Sequence, residues 1–184
     1  YPKLVLDWRR DTARLNVVQE QIDIGVRIGH LADSRLIARK IGETCEKIVM
    51  APDLLRRLGK PKDFADLQKN YPLAAVLNHN NGRADTWYIN ENLQFTPAKP
   101  HFVGSHIHNA LQAALAGNAV SQQLDWMVAP YLLNGELVEL FAEVPKIRWP
   151  VSIYRPQRVV TPMRVKVVFD LLAEILGKRF ELPV

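Results

Sequence analysis

The stretch QIDIGVRIGHLADSRLIARKIG, Gln21 to Gly42, decides how the chain is read. Ile22, Ile24, Val26 and Ile28 alternate at period two, which is the pattern of a strand with one apolar face. Gly25 interrupts that strand and Gly29 ends it in a turn conformation, with His30 in the solvated loop beyond. An acidic loop follows, then a second apolar run from Leu36 to Ile41. GVRIGH lacks the G-x-G-x-x-G spacing and opens no helix, so a phosphate-cradling glycine loop is a poor reading. Upstream, Leu4 to Trp8 is a short extended run, and Asp11-Thr12 offers an N-cap to a helix carrying Leu15, Val18 and Ile22. Strand, helix and strand in so short a span predict a right-handed parallel unit.

Working outward, strands and helices alternate to the end, which says α/β. KIVMA (Lys47–Ala51) is a buried strand. Pro52-Asp53 starts a short helix closed by Gly59, and a second short helix follows GKPKDF. YPLAAVL (Tyr71–Leu77) is a continuous apolar run of the kind found in parallel sheets. NHNNGRADTWYINENLQF is a loop followed by a hairpin, with NNG as turn chemistry. HFVG is another strand, and Ser105 is expected to cap the helix HIHNALQAALAG, which stops at Gly117. NAVSQQL is strand-like but oddly polar, Asp125 opens another short helix, and ELVELF and RWPVSIYRP are extended. Thr161 as cap, Pro162 at the first helical position and Gly177 as stop frame a last helix over MRVKVVFDLLAEIL.

At 184 residues the chain can hold one sizeable core or two small lobes. With 48% hydrophobic and 23% charged residues, it has the make-up of a globular protein. No apolar run nears the roughly 20 residues of a membrane span. YPKLVLDW has no signal-peptide pattern and begins on a strand-like run, which reads as an interior start. The net charge of +5 comes from Lys and Arg interleaved with acids, so solvated faces explain it better than a nucleic-acid stripe. Cys45 is alone, which excludes an internal disulfide and suits a reducing cytoplasm; it reads as a small apolar residue.

DIGVRIGHLADSRLIARKIG, IVMAPDLLRRLGKPKDFADL, ALQAALAGNAV, DWMVAPYLLNGELVEL and VSIYRP, followed by TPMRVKVVFDLLAEIL, together resemble the effector-binding domain of LysR-type transcriptional regulators. They stand in the family's order and spacing over nearly the whole chain. The resemblance implies two Rossmann-like α/β lobes of the type II periplasmic-binding-protein fold, joined by two crossing strands. Lobe I would be residues 1–52 and 151–184, and lobe II residues 53–150, with crossings near Ile48–Pro52 and Val151–Pro156. It also implies a small-molecule effector, a homodimer of lobe I against lobe II, and higher oligomers in the whole regulator. DNA would be bound through a helix-turn-helix not found in these residues. The family's first strand and helix of lobe I, which precede the segment matching YPKLVLDW, are not found here either. Where relatives have LGIALLP this chain has NAVSQQL. An extracytoplasmic solute-binding protein of similar fold is the alternative reading.

Ligands in such sheets sit beyond the carboxyl ends of parallel strands. That singles out Gly29 and His30, Asn78, Ser105 and His106, and the polar strand with Ser121 and Gln122. Ser105 and His106 begin a helix whose unpaired N–H groups and positive dipole end suit an anion, although Ser105 as a simple cap accounts for the residue equally well. Ser121, Gln122 and Gln123 read either as a solvated edge or as the polar lining of this chain's own pocket. A metal site at His101, His106 and His108 is disfavoured, because helical positions two apart do not share a face. VGSHI is not a G-x-S-x-G elbow and no Asp/His partner is arranged by spacing, so no catalysis and no cofactor are expected.

Overall fold

The computed structural model describes residues 4–9, 21–31, 35–78, 81–157 and 160–180. They group into two compact units, one up to Thr44 and from Arg148 onward, the other from Cys45 to Ile147. The helix expected over ARLNVVQEQ (13–21) lies, but for Gln21, outside the described residues.

In the first unit, β1 (Gly25–Ile28) and β2 (Leu36–Thr44) flank β11 (Trp149–Pro156) in a three-stranded sheet, and both pair with it antiparallel. The parallel strand–helix–strand unit expected from the sequence is therefore not formed by the described residues. Residues 4–9 adopt no regular element, and Val5, Leu6 and Trp8 are exposed. Against the sheet lies α5 (Met163–Phe180), with Val165, Phe169 and Ala173 buried at helical spacing. Ile41, Val151 and Ile153 complete that core. Two of the expected helix limits are corrected. The Pro162 carbonyl accepts from Lys166 N–H at 3.2 Å, so the helix starts just after Pro162, while the Thr161 hydroxyl is instead 3.0 Å from an Arg155 guanidinium N–H. Gly177 does not stop the helix, which runs on so that Phe180 packs over Gly42. A Cβ on Gly42 would sit 2.3 Å from that of Phe180.

The second unit is built on β3 (Glu46–Met50), β4 (Leu73–Asn78), β5 (Arg83–Ala84), β8 (Phe102–Gly104), β9 (Val120–Leu124) and β10 (Val138–Leu140). The order is β10-β3-β9-β4-β5, with β8 also on β4. β8 and β9 run parallel to β4, whereas β3 is antiparallel to both its neighbours. Hydrogen bonding to β9 and β10 makes β3 part of this unit, although the sequence had assigned it to the first lobe. Adjacent residues of β3 point to opposite faces, so Ile48 and Val49 enter different cores. On Ile48's side lie α1 (Pro52–Leu58), α2 (Phe64–Asn70) and the hairpin β6 (Trp87–Asn90)–β7 (Leu93–Phe95). On the side of Val49 lie α3 (Ile107–Leu115) and α4 (Asp125–Leu133).

The punctuation read from the sequence holds through most of this unit. Gly59 sits at φ +78° after α1, and Gly82 at φ +69° donates its N–H to the Asn78 carbonyl in the NNG turn. Gly117, at φ +69°, ends α3 with its N–H on Ala114 O and that of Asn118 on Ala113 O.

Candidate functional site

Val76 of β4 pairs with Gly104 of β8, so Asn78, the last residue of β4, and Ser105, just past β8, both lie at the carboxyl ends of neighbouring parallel strands. The chain reaches α3 from there in two residues. His106, not Ser105, is the N-cap: its backbone is extended (φ −146°, ψ 142°) and its Nδ1 accepts the His108 N–H at 3.0 Å. An imidazole nitrogen does here what a serine hydroxyl usually does. Because Nδ1 accepts, the proton of the neutral ring is on Nε2, leaving that nitrogen a donor. Ser105 sits one residue before the cap and is exposed, and His106 is half-buried.

Gly104 serves a close internal approach, since a Cβ there would come within 2.6 Å of the Asn109 Cβ. Asn78 donates from Nδ2 to Asp85 Oδ1 at 2.7 Å, so its amide is oriented by a carboxylate seven residues on.

The polar strand β9 is neither an edge nor solvated. It lies between β3 and β4, and Ser121 and Gln123 have 0% exposure. Gln122 faces the hairpin side and donates to the Tyr88 carbonyl at 2.8 Å. Ser121 and Gln123 share the opposite face. Gln123 Nε2 lies 2.7 Å from Ser121 Oγ and 3.2 Å from the carbonyl of Ile107, the first residue of α3. That carbonyl can only accept, which fixes the amide's orientation and leaves Oε1 buried without a hydrogen-bond partner among the described residues. Ser121 is level with Ala74, well back from the strand end. Gln123, two residues further along, is the β9 side chain that supports the start of α3. The sequence signal for it was the Ser121/Gln123 alternation on one face.

Gly29 and His30 belong to the first unit. Gly29 has φ +97° and donates its N–H to Pro150 O at 2.8 Å, and His30 is exposed. Cys45 is buried and its thiol is 3.4 Å from Asp125 Oδ2. The His106 and His108 rings are 6.2 Å apart between centroids, and among the described residues no three His, Cys, Asp or Glu side chains are grouped to hold a metal.

A model of the LysR substrate binding domain matches residues 1–177. The chain belongs to that family. Relatives of this LysR-family chain include the HTH-type transcriptional regulator CrgA of Neisseria meningitidis, 26% identical over 96% of this chain and 59% of the relative. The HTH-type transcriptional activator TtdR of Escherichia coli is 23% identical, over all of this chain and 59% of its own. The chain thus spans about three-fifths of the length of these curated relatives. They are named as transcriptional regulators rather than as enzymes. The solved regulatory domain of CrgA superposes with TM-score 0.75 at 24% identity, covering 91% of this chain and 81% of that one. Full-length AphB of Vibrio cholerae gives 0.76 at 19% identity, covering 95% and 59%. The fold is that of LysR-type regulatory domains, the type II periplasmic-binding-protein type.

Proposed function

We propose that this chain is the effector-sensing part of a cytoplasmic, DNA-binding transcriptional regulator. The family match over residues 1–177 carries the reading, and the relatives' names favour it over a transporter's solute-binding protein. Among the described residues no helix is long and apolar enough to cross a membrane. The effector is a small molecule, and an anionic group is the case that the start of α3 suits. Two features support that: the positive end of its dipole and the Nε2 donor of His106, since the His108 and Asn109 amides are already taken by His106. Ser105, His106 and Asn78 would touch the effector, and Gly29 and His30 are further candidate contacts. Ser121 is fully buried and Gln122 is turned to the hairpin side, so neither is retained as a contact. An effector acts only through its different affinity for two arrangements of the protein. DNA would be engaged by parts of the regulator beyond these residues.

The same reading includes a homodimer of lobe I against lobe II. Leu111 and Ala114 of α3 are buried in the core of their own unit and do not offer that contact. The exposed Phe102 and Val103 of β8 and the exposed Val5, Leu6 and Trp8 support the homodimer instead. Sedimentation of the intact regulator at micromolar concentration tests it, and a strict monomer would count against it. The function itself is tested by a thermal-shift screen of small acids, aromatics and metabolites on the intact regulator, followed by footprinting at its own promoter. A ligand that binds the native state raises the melting temperature by mass action. That ligand should also change the footprint. A ligand that shifts melting but is turned over, or leaves DNA binding untouched, would contradict the proposal.

A further inference from the structure

We infer that Glu139 is a shared anchor for both places where the chain passes between the two units. Its Oε2 lies 3.0 Å from Lys47 Nζ and its Oε1 lies 2.8 Å from Lys146 Nζ. These side chains are only 15–18% exposed, so salt screens the pairs weakly. The chain enters the second unit at Thr44–Cys45, just before Lys47, and leaves it at Ile147–Arg148, just after Lys146. One carboxylate therefore holds both passages.

The local geometry shows why a glutamate serves here. Glu139 pairs with Val49 in the antiparallel ladder, which puts Lys47 on its diagonal and on the same face. Lys146 also donates to Ala142 O at 3.3 Å and Val144 O at 3.4 Å, so its three protons meet three acceptors. Those carbonyls belong to the turn that closes with Val144 N–H on Phe141 O at 3.1 Å. Phe141 sits at φ +54°, a conformation that a bulky residue keeps only when its surroundings over-determine it. Its ring packs 4.2 Å from that of Phe64. Half-buried ion pairs add little net stability but can select one arrangement over others. Without the carboxylate, two ammonium groups would face each other, so losing Glu139 loosens both passages at once.

Hydrogen–deuterium exchange on the intact protein tests this without any effector, so its outcome is separable from that of the proposed function. In Glu139→Gln, amides of residues 45–48 and of 141–148 should both exchange at least about ten-fold faster. Lys47→Met should accelerate only the first segment, and Lys146→Met only the second. Wild-type rates in Glu139→Gln, acceleration of one segment alone, or a uniform rise that includes α3 and β4 would each overturn the inference. If Glu139→Gln does not fold, Glu139→Asp is read by the same criterion: joint acceleration supports the anchor, and anything else overturns it.

Discussion

Two strands contradict their own side chains in opposite ways. β9, VSQQL, is polar and buried, whereas β1, GVRI, is apolar and leaves Val26 and Ile28 42% and 38% exposed. The difference follows from position in the sheet. β9 has β3 on one side and β4 on the other, and helices or the hairpin cover both its faces. Burial is forced there, and each polar side chain makes it tolerable with a hydrogen bond to Tyr88, Ile107 or a neighbour on the strand. Among the described residues β1 is an edge that pairs only with β11. Topology sets what is buried, and sequence decides how the burial is made tolerable.

The comparison can be broken by mutation. Gln123→Ala should have the largest effect, about 2–4 kcal/mol of stability, since it opens a cavity in a close-packed layer and removes the donor to Ile107. Denaturant midpoints measure it, and a loss below about 0.5 kcal/mol would mean that β9 tolerates its glutamine without needing it. His106→Ala should lose about 1 kcal/mol, the usual value of a side-chain cap. Ser105→Ala, no longer a cap change, should lose a few tenths at most. If those two are reversed, the capping atom is the serine hydroxyl after all. Smallest is Val26→Thr on the edge strand, within about 0.5 kcal/mol. A loss above about 1.5 kcal/mol would show that another surface covers β1 in the working protein.

The second unit was largely legible in the sequence because its signals are local. Pro52 and Gly59 bracket α1, YPLAAVL reads as a two-sided strand, and NNG turns the chain. Errors gathered where a distant partner overrides a local signal. Gly177 is a stop residue by itself, but Phe180 packing over Gly42 carries the helix past it. Ser105 is the better cap by type, yet the extended path out of β8 gives the capping geometry to His106. β3 was assigned to the wrong side of the crossing, since the pairing that places it, with β9 and β10, is invisible in KIVMA itself. Of the candidate site, the strand ends were found by periodicity. The role of Gln123 was not, because it depends on a helix start sixteen residues earlier in the chain.

The central claim is that the effector rests at the start of α3. Titration calorimetry of Ser105→Gly with the effector from the screen tests it most directly, since the variant removes the hydroxyl while leaving the cap on His106 in place. The account predicts affinity lower by roughly 12- to 160-fold, the worth of a hydrogen bond to a charged group, with the melting temperature of the unliganded protein nearly unchanged. Wild-type affinity in the variant would contradict the claim and move the effector's polar contacts away from this helix.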